Sequence, residues 1–142
     1  VHIVKLVNAT IQQQNSSVVL DKIDLTIGHG EFTYLIGKTG SGKSSLLKTL
    51  YGELPLLAGS GEVAGFDLRQ ISRSNIHLLR RKLGIVFQDF NLLTDRNVAE
   101  NLRFVLRATG WNDEAAITQR IEEVLTEVGL PDKKATMPFQ LS

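Results

Sequence analysis

An α/β fold, with an N-terminal antiparallel β subdomain and a helical subdomain following it, is predicted by three observations. Apolar residues alternate with period two in the first strand-like runs, continuous apolar runs end in a glycine-rich loop and at a glutamine in the middle of the chain, and apolar residues recur at helical spacing from Val98 onward. With 142 residues, 42% of them hydrophobic and 22% charged, the chain has the balance of one globular domain of ordinary size.

The elements follow in order. In "VVLDKIDLTI", Ile23, Leu25 and Ile27 alternate with Asp24 and Thr26, which predicts an antiparallel strand wet on one face; "HIVKLV" before it has the same β-branched character. "GHGE" turns the chain into "EFTYLI", whose unbroken apolar and aromatic character predicts a strand covered on both faces, as in a parallel sheet. "KSSLLKTLYG" carries Leu46, Leu47 and Leu50 at helical spacing and stops at Gly52. After a loop around Pro55, "GSGEVAGFDL" predicts a short strand or hairpin turning near Gly65, and "SNIHLLRRKL" a helix with Ile76, Leu79 and Leu83 inside and the Arg80-Arg81-Lys82 run in solvent. "LGIVFQ" is again a buried-type strand. From Val98 to Val128 the pattern is helical, with Val98, Leu102 and Val105 in one helix and Ile117, Ile121, Val124, Leu125 and Val128 in the next. Asp113 and Glu114 suit the positive end of that second helix, Gly129 ends it, and Trp111 is expected to cap the junction between the two. The change of character places the boundary between a strand-rich part, residues 1–90, and a helical part, residues 91–142.

Sixteen basic against fifteen acidic residues leave a formal charge of +1, so no bulk field argues for nucleic acid as a partner. The absence of cysteine excludes disulfide scaffolds and thiolate metal sites. No apolar run approaches the roughly 18 residues of a transmembrane helix. Phosphate binding, if present, must be local.

"YLIGKTGSGKSSLL" is such a local site. Gly37, Gly42, Lys43 and Ser44 fill the fixed positions of the G-x-x-x-x-G-K-[ST] phosphate-binding loop, between a predicted strand and a predicted helix as that motif requires. At ordinary residue frequencies those four positions coincide by chance in such a chain on the order of one time in a few hundred. Gly37, Gly40 and Gly42 allow backbone angles that turn successive N–H groups inward around a polyphosphate, and the helix from Lys43 adds its positive end. Lys38, Thr39, Ser41 and Ser45 complete the lining, Lys43 reaches the outer phosphates, and the Ser44 hydroxyl suits Mg²⁺. The implied ligand is ATP with Mg²⁺. Gln88 ends the "LGIVFQ" run near the boundary between the two parts; its amide oxygen suits Mg²⁺ or a water, while the bland reading is a strand-end side chain hydrogen-bonded to a loop.

The set "GKTGSGKS", "GIVFQD" and the terminal "PFQLS" resembles the nucleotide-binding domain of ABC-type ATPases, a P-loop NTPase fold, across the whole chain and in the family's order. The resemblance implies that Gln88 is the Q-loop glutamine and a second Mg²⁺ ligand, and that Leu141-Ser142 opens the signature motif, with Ser142 serving the ATP of a partner protomer in an ATP-dependent homodimer. "RRKLGIVFQDFNLLTDRNVAENL" and "ATMPFQLS" are similar to the FtsE type of cell-division subunit, which works with an integral membrane partner, FtsX. It implies a peripheral position on the cytoplasmic face of the inner membrane. In this family the region after the Q-loop receives a helix of the membrane partner, so Asp95 and Arg96 are candidates for that contact or for a structural ion pair. Lipoprotein-releasing and macrolide-export subunits share most of the Q-loop segment and stand as alternatives, as does a stand-alone P-loop kinase.

Two departures from the family pattern carry expectations of their own. The aromatic residue that stacks on adenine has only Ile11 as its counterpart in "LVNATIQQQ". No apolar run ending in Asp-Glu follows the loop, and His2, His29 and His77 lie away from the family's switch position. The resemblance therefore implies a fold truncated at the signature motif, with no catalytic residue assigned within these 142 residues and ATP hydrolysis expected of the complete protein but not of this chain alone.

Overall fold

The computed structural model describes residues 1–13, 15 and 17–141. They form two compact units, Val1–Gly84 and a second that begins at Ile85.

In the first unit, β1 (His2–Gln12) pairs antiparallel with β2 (Val18–Gly28) on one side and with β3 (Leu56–Val63) on the other. β3 turns at Ala64 and Gly65 into the short β4 (Phe66–Asp67), giving a sheet of order β2-β1-β3-β4. The alternation expected for β2 is present: Ile23, Leu25 and Ile27 are half-buried, while Asp24 and Thr26 are exposed. β1 departs from strict alternation. Its register shifts between Leu6 and Ala9, where Asn8 adopts φ 48°, and beyond the shift Ala9, Thr10 and Ile11 are buried in succession. The buried hydroxyl of Thr10 is satisfied by donating to Asp21 Oδ1 at 2.8 Å.

Two helices complete this unit, α1 (Lys43–Leu50) and α2 (Ile76–Arg80). The core joins Leu6, Ala9, Ile11, Leu56 and Val63 of the sheet to Leu46 of α1, to Leu79 of α2, and to Leu68 from the turn after β4. α2 is shorter than its pattern predicts, but Leu79 is fully buried and Leu83 packs on the same core from beyond the helix end. Leu46 is buried, whereas Leu47, one position further on, is 52% exposed.

Neither predicted two-sided strand is formed. The segments at residues 31–36 and 83–88 carry no strand, and Ile36 and Val86 are 86% and 95% exposed. A strand with both faces covered exists only where neighbours take its N–H and C=O groups. The sheet of the first unit ends at β2 and β4, and among the described residues no strand pairs with either segment. The apolar pattern states a need for burial; the partner strands are a separate, nonlocal requirement.

The second unit is built on a helical hairpin of α3 (Val98–Ala108) and α4 (Glu114–Glu127). Asn97 and Glu100 form a reciprocal capping box at the start of α3, with Glu100 N donating to Asn97 Oδ1 and Asn97 N to Glu100 Oε2, each at 2.9 Å. Asp113 caps α4 by accepting from Ala115 N and Ala116 N. Ile117, Ile121 and Leu125 are buried against Val98, Ala99, Leu102 and Leu106. Val105 and Val128, expected in these faces, are exposed. The 98–102–106 spacing puts Leu106 where Val105 was expected. Trp111 N donates to Leu106 O at 3.0 Å in the turn between the helices. Arg107 and Arg103 both pair with Glu114, and the Arg107 hydrogen bond, first among the causes, holds that carboxyl below its usual range.

At the C-terminal end of α1, Glu53 accepts from Tyr51 Oη at 2.7 Å and pairs with Lys48 Nζ at 2.8 Å. Burial, reinforced by Glu53, pushes the Tyr51 phenol up to about 12. The Lys48 hydrogen bond, then that of Tyr51, holds Glu53 below its ordinary value. A carboxylate whose folded-state pKa is depressed stabilises the fold above its unfolded pKa, and that contribution fades as pH falls through the folded value. Glu53→Gln should therefore lower stability at neutral pH by less than about 1 kcal/mol, as for other solvent-screened pairs. Thermal melts of the two proteins should converge on acidification below about pH 4, the ordinary carboxylate range.

Candidate functional site

The site starts where a helix is left without a side-chain cap. Gly42, the N-cap of α1, has φ 95° and offers no side chain, and the first intrahelical bond is Leu46 N to Gly42 O at 2.9 Å. The N–H groups of Lys43, Ser44 and Ser45 are thus the orphan donors of the first turn, carrying the positive end of the helix. Ahead of them, residues 37–41 form an exposed loop with a turn closed by Ser41 N donating to Lys38 O at 3.1 Å.

Two glycines of this cradle stand against neighbouring side chains, and at Gly42 the left-handed angle adds a need for glycine. A Cβ on Gly37 would lie 2.7 Å from Ser41 Oγ, and one on Gly42 would lie 2.8 Å from Val19 Cγ1 and 3.0 Å from Leu20 Cγ. The second contact locks the start of α1 onto β2. Lys43 Nζ folds back over the loop and donates to Gly37 O at 2.7 Å and Lys38 O at 2.8 Å, with Ser41 Oγ at 3.4 Å. The ammonium group therefore sits within the loop, held by carbonyl oxygens that a phosphate oxygen can replace. Ser44, the next residue, is exposed. Ser45 also carries an orphan N–H, but its side chain is buried, with its hydroxyl accepting from Gln13 Nε2 at 3.5 Å. The donor set of three helix N–H groups, one ammonium group and a hydroxyl fits a polyphosphate.

The residues from Gly37 to Ser45 are thus brought together. Ile11 does not join them as a surface for a base. Its side chain is 0% exposed and packs in the core with Ala9 and Leu56. What does reach the surface near α1 is Gln13, one residue past β1. It lines a cavity of about 350 Å³ together with Asn15, Ser44, Ser45, Lys48 and Leu54. A run of three glutamines gives no period by which sequence could single out one of them.

Gln88 lies in the second unit, exposed, in a turn closed by Phe90 N donating to Phe87 O at 3.2 Å. Phe90 and Asn91 follow with φ of 59° and 49°. Sequence reading missed Asn101, whose side chain fixes the segment after this turn. Its Nδ2 is 3.0 Å from each of the carbonyl oxygens of Leu93, Arg96 and Asn97, and its Oδ1 accepts from Leu93 N at 2.8 Å. The Arg96 guanidinium carbon lies 5.5 Å from the centre of the Phe104 ring, a cation–π contact rather than the ion pair with Asp95 that was one of the expectations. Among the described residues no group of three or more acidic or histidine side chains is gathered as a metal site. The expected signature residue Ser142 lies outside the described residues.

The family model described as ABC transporter matches residues 20–142. The chain is 36% identical over 140 residues to the cell division ATP-binding protein FtsE of Streptococcus pneumoniae serotype 2, covering 99% of this chain and 60% of that protein. It is 38% identical over 136 residues to the methionine import ATP-binding protein MetN 2 of Salmonella choleraesuis, covering 96% of this chain and 40% of that protein. The chain thus spans less than two thirds of either relative. Among solved structures it is similar to CbiO1 of Clostridium perfringens, part of the ABC transporter complex CbiONQ, with a TM-score of 0.86, 27% identity, and coverage of 99% of this chain and 56% of that one. It is also similar to the ATP-binding cassette MJ0796 in a dimeric post-hydrolysis state bound to ADP and Pi, with a TM-score of 0.84, 29% identity, and coverage of 98% and 63%.

Two glycines of the loop separate crowding from backbone angle. Gly40 has φ 80° with nothing within 4 Å of where a Cβ would stand, whereas Gly42 combines φ 95° with the contact to Val19. Gly40→Ala should cost about 1 kcal/mol from the left-handed angle alone. Gly42→Ala should cost about 2–3 kcal/mol, because overpacking adds to it. Denaturant unfolding of the two variants checks the order.

Proposed function

This chain belongs to the ABC transporter family, and from that premise we propose that it is the ATP-binding part of a subunit that couples ATP binding and hydrolysis to an integral membrane partner. The observation that carries the proposal is the uncapped start of α1, framed by residues 37–42 with Lys43 Nζ folded into the loop. In this reading the N–H groups of Lys43, Ser44 and Ser45 bind phosphate oxygens, Lys43 exchanges its carbonyl partners for the β- and γ-phosphates, and Gly37 to Ser41 wrap the chain of phosphates. Ser44 and Gln88 would hold Mg²⁺, which neutralises phosphate charge when bound. Ser142 would serve the nucleotide of a second protomer in an ATP-dependent homodimer.

Within the family, the proposal favours the cell-division type, with a membrane partner resembling FtsX and a peripheral position at the cytoplasmic face of the inner membrane. Its support is the likeness to FtsE over 99% of the chain. A substrate-import subunit is the second reading, supported by the comparable identity to MetN. Both predict the same chemistry at the loop and differ in the membrane protein bound. The segment from Leu93 to Asn97, held by Asn101, is the proposed contact for that protein. Among the described residues no helix is long and apolar enough to cross a membrane, so the proposal assigns membrane attachment to the partner.

Lys43→Ala should weaken ATP·Mg²⁺ binding about 10- to 150-fold, the equivalent of about 1.5–3 kcal/mol for a charge-assisted hydrogen bond. The lower end is expected, because the free lysine already has three loop oxygens as partners. Gln88→Ala should change binding less than Lys43→Ala. Calorimetric titration tests both, and an unchanged affinity in Lys43→Ala would remove the phosphate-loop reading.

A further inference from the structure

We infer that the segment from Leu68 to Lys82 is a docking surface for the anionic headgroups of a lipid bilayer, a contact made by this chain itself beside the one proposed through its membrane partner. It rests on the proposed function only in placing the chain at a membrane. The segment holds five of the sixteen basic side chains, Arg69, Arg73, Arg80, Arg81 and Lys82, and none of the fifteen acidic ones, leaving eleven basic against fifteen acidic residues everywhere else. A formal charge of +1 hides this local excess.

The segment keeps its shape without spending its charges. Leu68 and Leu79 are buried in the core of the first unit, while all five basic residues are exposed. Between these anchors Asp67 accepts from Arg69 N at 2.9 Å and from Gln70 Nε2 at 3.0 Å, and Asn75 accepts from Ser72 N at 2.7 Å and donates to Gln70 O at 3.0 Å. Arg69 and Arg80 donate to backbone carbonyls, Gly59 O at 3.0 Å and Tyr51 O at 3.1 Å. Among the described residues the side chains of Arg73 and Lys82 make no hydrogen bond or ion pair. Glu53, close enough to Arg80 to feel its charge, is already paired with Lys48 Nζ at 2.8 Å. Arg69, Arg73 and Arg80 line one open cleft of about 900 Å³ with Ile71, Ser72 and Ile76, so three guanidinium groups stand ready for phosphate oxygens.

With Leu79 turned inward, the 100° spacing of a helix puts Arg80 and Leu78 on the two shoulders of α2, and Leu78 is 44% exposed. A nucleic acid would satisfy the arginines but leave Leu78 in water, and no aromatic residue occurs from Leu68 to Lys82 to stack on a base. A bilayer satisfies both, with phosphates on the guanidinium groups and Leu78 at the headgroup boundary.

The full chain is sedimented, without nucleotide, with vesicles of phosphatidylcholine alone and with vesicles in which about a third of the lipid is phosphatidylglycerol. Binding should be confined to the anionic vesicles and should fall as salt is raised to about 0.5 M. The double variant Arg73→Gln/Lys82→Gln should lower the partition about 25-fold, at about fivefold for each basic residue near an anionic surface. Lys22→Gln/Lys133→Gln, which removes the same charge elsewhere, should lower it less than about threefold. Leu78→Ser should lose about threefold. Thermal melts matching that of the unaltered chain separate a lost contact from a lost fold. Equal binding to neutral vesicles, no binding to either, or equal losses in the two double variants overturns the inference. Unchanged binding of Leu78→Ser, or tighter binding of the unaltered chain to a double-stranded oligonucleotide than to the anionic vesicles, overturns the bilayer as the occupant. The phosphate-loop reading stands or falls separately, on ATP binding by Lys43→Ala.

Discussion

Gly42 brings the start of α1 so close to β2 that a methyl group there would fall 2.8 Å from Val19 Cγ1, and the seating this enforces is what the rest of the first unit depends on. With the helix start fixed, Leu46 enters the core beside Ile11 and Leu56, and Thr49 is buried with its hydroxyl donating to Ser45 O at 3.0 Å. Packing and anion binding are therefore one arrangement: the residue that cannot bear a side chain for steric reasons is also the residue that leaves the helix uncapped. A serine or aspartate at the N-cap would satisfy a first-turn N–H internally and compete with a phosphate for it.

What was legible in the sequence follows from how local each determinant is. The alternation of Ile23, Leu25 and Ile27, the Asp113 cap, the glycine ends of α1 and α4, and the loop from Gly37 to Ser45 all depend on residues within a few positions of one another, and all are present. The segments "EFTYLI" and "LGIVFQ" depend on strands elsewhere, so their residue types announced burial without supplying it. The burial of Ile11 was not legible for a different reason. Matching a position to a family's aromatic residue says where a side chain lies along the chain, while the face it occupies is set by the neighbours Ala9 and Thr10 and by the register shift before them. Val105 illustrates the narrow margin on helices, where one position, about 100°, separates the buried Leu106 side from solvent.

In the second unit one side chain does for a loop what Gly42 does for the first turn of α1. Asn101, on the second turn of α3, gathers the carbonyls of Leu93, Arg96 and Asn97, so the stretch from Leu93 to Asn97 is tied to a helix whose own start is fixed by the Asn97–Glu100 box. An amide is the side chain suited to this, since it donates to carbonyls and accepts from Leu93 N at once. A surface held this way can receive a partner without first being ordered, which lowers the entropic cost of docking.

The exposed apolar segments give the two units a common physical character. Phe32, Tyr34, Ile36, Val86 and Phe90 are each more than 70% exposed, from 73% for Phe90 to 95% for Val86. Phe32 and Tyr34 answer part of that exposure by packing edge to face, with ring centres 5.0 Å apart, but a single aromatic pair shields little area. Fully burying one such side chain is worth about 1.5–3 kcal/mol, so five of them together represent a driving force comparable with the whole stability of a small domain. Residue types of an interior combined with the exposure of a surface mean that these segments gain more from covering strands than from any local rearrangement. The phosphate loop joins one of these segments to α1, and Gln88 ends the other. Covering the segments therefore acts directly on the positions of the two groups proposed to meet ATP and Mg²⁺.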